Sequence, residues 1–340
     1  MRASATPAAT RRAGRGIVLS GVLILLLSAL LTSLALGTAT ESPGALIDVL
    51  TGRAPSFETL LVQTLRGPRT LLGLLAGMGL GASGALMQSL TRSPLADPGL
   101  LGVNAGAAAL MVAGIALFGL SSIEWRLILA FVGAMGAMLL VLGMSGSSSG
   151  RSSAPISLLL AGVALTAALG GLTTIVMLSD PEIFDEMRQW SAGSLVTIGY
   201  DVPLAILGPT VLGIGLASYA GPTLNALALG PENAVGLGVE IVKVRILILL
   251  SIALLCGAAT AAVGPIAFIG LMVPHFVRML VGPDERRVLI LSTLSAPSLL
   301  LLSDVTGRLI LRPAELQVGI VVALLGAPVL IGLARGRLNR

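Results

Sequence analysis

Few side chains in this 340-residue sequence can do chemistry, and their spacing narrows the chemistry further. There is one histidine, His275, directly after Pro274; one cysteine, Cys256, inside an apolar run; and one lysine, Lys243, in the string Val-Glu-Ile-Val-Lys-Val-Arg. Covalent hydrolysis needs a nucleophile beside a base, and acid–base hydrolysis needs paired carboxylates. Neither constellation surrounds His275, which reads as a structural histidine, so no catalytic residue is assigned. A single cysteine forms no intramolecular disulfide and no thiolate metal cluster, and a single histidine builds no His-rich site, so no metal and no cofactor are expected. A nucleotide-binding P-loop needs a lysine after its second glycine, and Lys243 is not so placed. Asp304 stands four residues before Arg308, a spacing that lets the two pair along one helix face. A structural ion pair and a functional pair both satisfy it. Gln88 is a polar side chain in an apolar stretch, able to face a pathway or to close a helix contact.

The elements that must position these groups are set by composition. The chain is 55% hydrophobic, 11% charged and 3% aromatic, with mean hydropathy +0.99. Soluble domains carry about a quarter of their residues as Asp, Glu, Lys and Arg, so this chain lacks the charge to cover a globular surface. A soluble enzyme is excluded and a lipid bilayer is the expected environment. The net charge of +5 then marks membrane-helix ends rather than a nucleic-acid partner.

A bilayer crossing takes about 20 mostly apolar residues. Nine such stretches occur: Ile17 to Gly37, Thr70 to Leu90, Leu100 to Leu120, Leu127 to Ser145, Ile156 to Ser179, Val202 to Ala220, Ile246 to Val277, Val288 to Ser303 and Leu316 to Ala334. The seventh would reach about 48 Å as one helix and is interrupted by Gly264-Pro265 and again by Pro274, so it is divided near Gly264. The sequence thus predicts an all-α integral membrane protein of ten crossings. Residues 1–16 form an N-terminal tail, 17–334 a single transmembrane domain and 335–340 a C-terminal tail. The first stretch is longer than a signal-peptide core and is read as a retained span. With both termini inside, 14 Lys and Arg fall inside and 7 outside, as the positive-inside rule requires. The outer set is Arg53, Arg66, Arg69, Arg126, Arg188, Arg308 and Arg312. Asp180, Glu182, Asp185 and Glu186 cluster outside as well.

Gly73, Gly77, Gly81 and Ala85 recur every fourth residue and lay a smooth strip along the second span, where another backbone can approach. Prolines 209, 265, 274, 297 and 328 lie within or beside spans, where broken helices are tolerated if buried or lining a cavity. Ionisable residues deep in the spans are nearly absent, which leaves little with which to build a proton relay or ion cage.

Several strings together resemble the permease subunits of binding-protein-dependent ABC importers for iron-siderophores, haem and vitamin B12. They are Arg66-Gly67-Pro68-Arg69, Gly81 to Gln88, Ser93 to Val103, Leu160-Ala161-Gly162-Val163, Trp190 with Gly193-Ser194-Leu195, Leu227 to Gly230 with Leu237-Gly238-Val239, Gly264 to His275, Asp304 with Arg308, and Pro313 to Ile320 with Gly326-Ala327-Pro328. Their order and spacing cover nearly the whole chain. The resemblance implies the type II importer fold, similar to the vitamin B12 permease: ten helices with inverted repeats over helices two to five and seven to ten. It implies a homodimer or a heterodimer with a related permease, two cytoplasmic ATP-binding subunits, an extracytoplasmic substrate-binding protein, and a place in the cytoplasmic (inner) membrane.

By the same resemblance, the outward arginines Arg66, Arg69 and Arg308 would dock the binding protein, since guanidinium groups take carboxylates in bidentate geometry; plain interfacial anchoring is the alternative. Gly230, Pro231, Glu232, Ala234, Leu237 and Gly238 would form the coupling helix that meets the ATPase, with proline at the first helical position and an acid in the first turn. Gly236 inside that helix counts against it. Helices five and ten would line the path, with Gln88, Gly162 and Gly319 as pathway residues within or near the stretches Leu160 to Thr166 and Gly319 to Gly326. The chain departs from the usual family residues at Ser93 (Asn), Glu285 (His) and Gln317 (Pro). The expected substrate is an iron-siderophore, with cobalamin and haem behind it; a gradient-driven secondary transporter and a multi-pass membrane enzyme are the rival readings.

Overall fold

The computed structural model describes residues 8–37, 60–146, 154–311 and 314–338. Expectations placed on Arg53, Arg151, Arg312, Pro313 and the extreme chain ends lie outside them. The described chain is helical: α1 (Ala8–Ala35), a π-helical turn (Val62–Arg66) leading into α2 (Gly67–Thr91), a 3-10 turn (Pro98–Leu101), α3 (Val103–Phe118), α4 (Ile123–Gly146), α5 (Ala154–Ser179), α6 (Pro181–Ser191), α7 (Asp201–Ala228), α8 (Pro231–Gly236), α9 (Ile241–Val263), α10 (Ile269–Val281), α11 (Glu285–Ile310) and α12 (Val318–Leu338). Helix α1 begins inside the segment read as a tail, and α12 runs three residues past 335.

Among the described residues seven helices are long and apolar enough to cross a membrane: α1, α2 with its preceding turn, α4, α5, α7, α9 and α11. The other three expected crossings are present as shorter apolar helices, α3, α10 and α12. At 1.5 Å per residue, the 13 residues of α10 reach only about 20 Å. An extended or 3-10 segment leads into each of α3 and α10.

Helix α2 is the mast around which the rest is packed, with neighbours α11, α9, α7 and α10. Its small residues explain this. The expected glycine strip faces α11: a Cβ on Gly77 would lie 2.5 Å from Pro297 Cα, one on Gly73 2.5 Å from Leu301, and one on Gly81 would strike the Ser292 carbonyl. On other faces Gly84 meets the Gly270 backbone and Gly79 meets Leu255 O. Lipid offers little incentive to pair helices, so close backbone approach and dense packing hold this core. Cys256, on α9, is sealed within it at 3% exposure.

The prolines behave differently from expectation. Pro209 and Pro222 sit inside α7, Pro274 inside α10, Pro297 inside α11 and Pro328 inside α12, without ending any of them. Of the five prolines singled out in the sequence, Pro265 alone, together with Gly264, separates two helices. Gly264 has φ +76° and its cap N–H bonds Thr260 O, while a Cβ there would collide with Trp190 O. That is a place only glycine fits.

Candidate functional site

Two polar clusters stand out in this apolar molecule, one at each end of α2 and named outer and inner after the expected orientation, and a third feature, α8, projects from the bundle. The outer cluster is built by α2, α11, α1 and the turn before α12. Arg69 forks onto Asp304, with Nε to Oδ2 at 3.0 Å and Nη2 to Oδ1 at 2.7 Å, while its Nη1 reaches Glu315 Oε2 at 2.7 Å. Arg308 Nη2 pairs with Asp304 Oδ2 at 3.0 Å, confirming the ion pair allowed by the four-residue spacing. Arg308 also donates to Ser33 O and Leu36 O, and Arg66 donates to Leu34 O and Ala35 O. Two guanidinium groups thus satisfy the orphan carbonyls of the last turn of α1, where the helix dipole favours cations.

The sequence grouped Arg66, Arg69 and Arg308 on one side, and the structure brings them together at the N-terminal end of α2. It also turns them inward: they are only 7%, 9% and 3% exposed. Within this chain they join helices. Two buried cations face two carboxylates, Asp304 and the partly exposed Glu315, so the charges of Arg69 and Arg308 are matched.

The inner cluster centres on Arg278, in the last turn of α10. Its Nη1 donates to Gln88 Oε1 at 2.8 Å, its Nη2 to Glu285 Oε2 at 2.8 Å and its Nε to Glu285 Oε1 at 3.2 Å. Ser89 Oγ adds a 2.6 Å bond to Glu285 Oε2. Gln88 Nε2 donates to Leu271 O at 3.0 Å. Asn225, near the end of α7, accepts the Glu285 N–H at 2.8 Å and donates to Asp284 Oδ1 at 3.2 Å. Gln88 is 2% exposed, so of its two expected roles the structure shows the helix contact. Reading one sequence revealed neither Arg278 nor Asn225 as a partner: Gln88 lies 190 residues from Arg278, Asn225 is 60 residues from Glu285, and the close Arg278–Glu285 pair spans the break between α10 and α11.

Helix α8 forms where the coupling helix was expected. Gly230 takes φ +102° before it, Pro231 occupies the first turn and Glu232 supplies the acid there. Gly236 is its last residue rather than an interior one, so its low helix propensity costs little. Ala234 is fully buried beneath it, and its carbonyl accepts from Val239 N at 3.0 Å. Gly238 follows at φ +79°. Leu229, Val235 and Leu237 are 63%, 60% and 65% exposed around the helix. An apolar knob with one acid thus projects from the junction of α7 and α9.

Gly162 and Gly319 are points of close approach. A Cβ on Gly162 would meet Leu100 O, and one on Gly319 would meet Ala192 O; the Gly319 N–H bonds Gly193 O at 3.2 Å. Between the segments that precede α3 and α10 lies a cavity of ≈ 10 Å³, lined among others by Asp97, Asn104, Thr260, Ile266 and Gly270. Burial pushes the Asp97 carboxyl up from its ordinary value, opposed by the Gly99 N–H it accepts at 2.8 Å. Among the described residues no group of three or more His, Cys, Asp or Glu is arranged to hold a metal ion.

Helix α6 was not foreseen, although Asp180 before Pro181 with Glu182 in the first turn is a legible helix start. Asp180 caps it, accepting from Glu182 N at 2.9 Å.

Residues 24–336 match the FecCD transport family. The ferric enterobactin transport system permease protein FepD of Escherichia coli (strain K12) is 47% identical over 321 residues, covering 94% of this chain and 96% of the relative. The hemin transport system permease protein HmuU of Yersinia pestis is 37% identical, covering 78% and 80%. Among solved structures, an inward-facing conformation of a metal-chelate type ABC transporter superposes with TM-score 0.82 at 26% identity, covering 95% of this chain and 99% of that one.

Proposed function

The chain belongs to the FecCD transport family, and from that premise we propose that it is the membrane-spanning permease subunit of an ATP-driven importer that carries a ferric siderophore or similar metal chelate inward. The observation that carries the reading is α8. A short helix bearing exposed Leu229, Val235 and Leu237, seated on the ends of two long helices, is built to be gripped by another protein. Its partner is a pair of cytoplasmic ATPase subunits, with Gly230, Pro231, Glu232, Ala234, Leu237 and Gly238 forming the contact. The relative named for ferric enterobactin makes that ferric complex the first substrate to assay, and the hemin permease makes haem the second.

The same reading takes the three short apolar helices as crossings, giving ten, with both termini inside. Internal symmetry supports inverted repeats: Pro94-Leu95-Ala96 followed by Gly99-Leu100-Leu101 matches Pro265-Ile266-Ala267 followed by Gly270-Leu271-Met272. Each segment leads into a short apolar helix, α3 or α10, and Gly270 packs against Pro98. A second permease copy or related chain completes the path, with Gly162 and Gly319 on the helices that flank it. The external binding protein docks at the outer rim framed by Arg66, Arg69 and Arg308.

Purification of the tagged chain in mild detergent, followed by mass spectrometry of what stays bound, tests the assignment. A stoichiometric soluble subunit carrying a P-loop is expected; a chain that comes out alone in several detergents and lipids refutes it. Ala234→Trp, which forces a large side chain into a buried site under α8, is expected to uncouple ATP hydrolysis from transport.

A further inference from the structure

The inner cluster has more polar machinery than stability requires. A buried ion pair is often no more stabilising than apolar residues of the same size, yet here a carboxylate, a guanidinium, two amides and a hydroxyl are gathered at the meeting point of four helices. Their bonds form one unbroken route. Helix α7 runs directly into α8, with Leu229 N bonded to Ala226 O and Gly230 N to Leu227 O. One turn before the end of α7, Asn225 grips the start of α11 with both ends of its amide. Glu285, 8% exposed, accepts from Ser89 of α2 and from two nitrogens of Arg278 of α10. Arg278 reaches Gln88 of α2, and Gln88 returns to the first-turn carbonyls of α10.

We propose that the Asn225–Glu285–Arg278–Gln88 chain is the link that carries displacement of α8 into the α2–α11 pair, with Arg278 and Glu285 as positioning residues. The proposal rests on the reading of α8 as the ATPase contact. Helix α2 then delivers the displacement outward: Gln88 and Arg69 lie on one continuous helix about 28 Å apart. The glycine strip locks α2 to α11 between them. Without the link, α7 and α8 can move while α2 and α11 stay in place.

The test uses the intact transporter, with its ATPase subunits and binding protein, in proteoliposomes. Chelate delivered per ATP hydrolysed is measured for wild type, Glu285→Gln, Arg278→Gln and Asn225→Ala, alongside assembly and thermal stability. Both charge-removing variants are expected to assemble and to hydrolyse ATP, while delivery per ATP falls roughly fivefold or more, the lower end of ordinary coupling between sites. Spin labels on Ala228→Cys and Arg286→Cys, both at exposed positions, report the α7–α11 separation. That separation is expected to stay fixed on ATP binding in wild type and to spread in Asn225→Ala, which removes both bonds from α7 to the start of α11. An unchanged delivery ratio in Glu285→Gln and Arg278→Gln, or a fixed separation in Asn225→Ala, overturns the proposal. Should those two fail to assemble, Asn225→Ala, which leaves the Glu285–Arg278 pair intact, decides the matter by the same two readouts. Ala234→Trp separates the two levels. If it transports with normal coupling, the α8 reading fails; if it uncouples while the cluster variants do not, only the link fails.

Discussion

Asp304 is the residue on which the outer rim turns. It accepts from both Arg69 and Arg308 and is 1% exposed. Asp304→Ala would leave two buried cations with a single, partly exposed carboxylate between them, and breaking such a pair costs about 3–5 kcal/mol. The expected result is a large drop in thermal stability of the detergent-solubilised chain; a wild-type melting curve would show that the cluster contributes little. Reversing Arg69 or Arg308 to Glu is expected to do the same, so loss of binding-protein affinity in those variants has to be measured on material whose folding has first been verified. A neighbouring steric test is Gly77→Val, whose added carbons would press on the Pro297 backbone at 2.5 Å or less. Overpacking of this kind costs about 1–3 kcal/mol, and unchanged stability would mean that α2 and α11 can separate freely. The Asp304–Arg308 pair was legible from spacing within one helix. Arg69 as a third member was not, because it lies 235 residues away from Asp304 and only the fold brings them together.

At the level of elements, apolar runs marked the helices well and proline marked their interruptions poorly. A proline inside a helix removes one hydrogen bond, and in a tightly packed bundle the neighbours absorb the loss. The structure therefore keeps α7, α10, α11 and α12 continuous through theirs. Gly264 did end a helix, since its positive φ and contact with Trp190 demand glycine. Helix α8 was legible because its signals are local: a glycine, a proline at the first turn and an acid beside it. Its seating was not, since Ala234 is buried only through the packing around α8. Shortening that side chain is expected to be mild: Ala234→Gly should transport with near-normal coupling where Ala234→Trp does not. Equal uncoupling by both would point to helix propensity rather than to shape.

For the whole molecule, the two charged clusters sit at opposite ends of one helix and leave its middle to glycine, alanine and leucine. Such a body is stiff along α2 and can tilt as a unit, which is the geometry rigid-body gating requires. The pattern of charges could be sorted from sequence into two sides, and the structure gathers Arg66, Arg69 and Arg308 at one end of α2 and Arg278 at the other. What sequence could not give was that outward arginines bend back into the chain, because burial of a charge depends on partners contributed by four separate segments.

Cys256 has a practical consequence for every experiment above. The chain's single thiol is packed inside the bundle at 3% exposure, so water-soluble maleimides added to intact membranes are expected to leave the natural protein unmodified. Any cysteine introduced at an exposed position then reports alone, and the molecule can be fitted with optical or magnetic labels one or two at a time without first replacing a native residue.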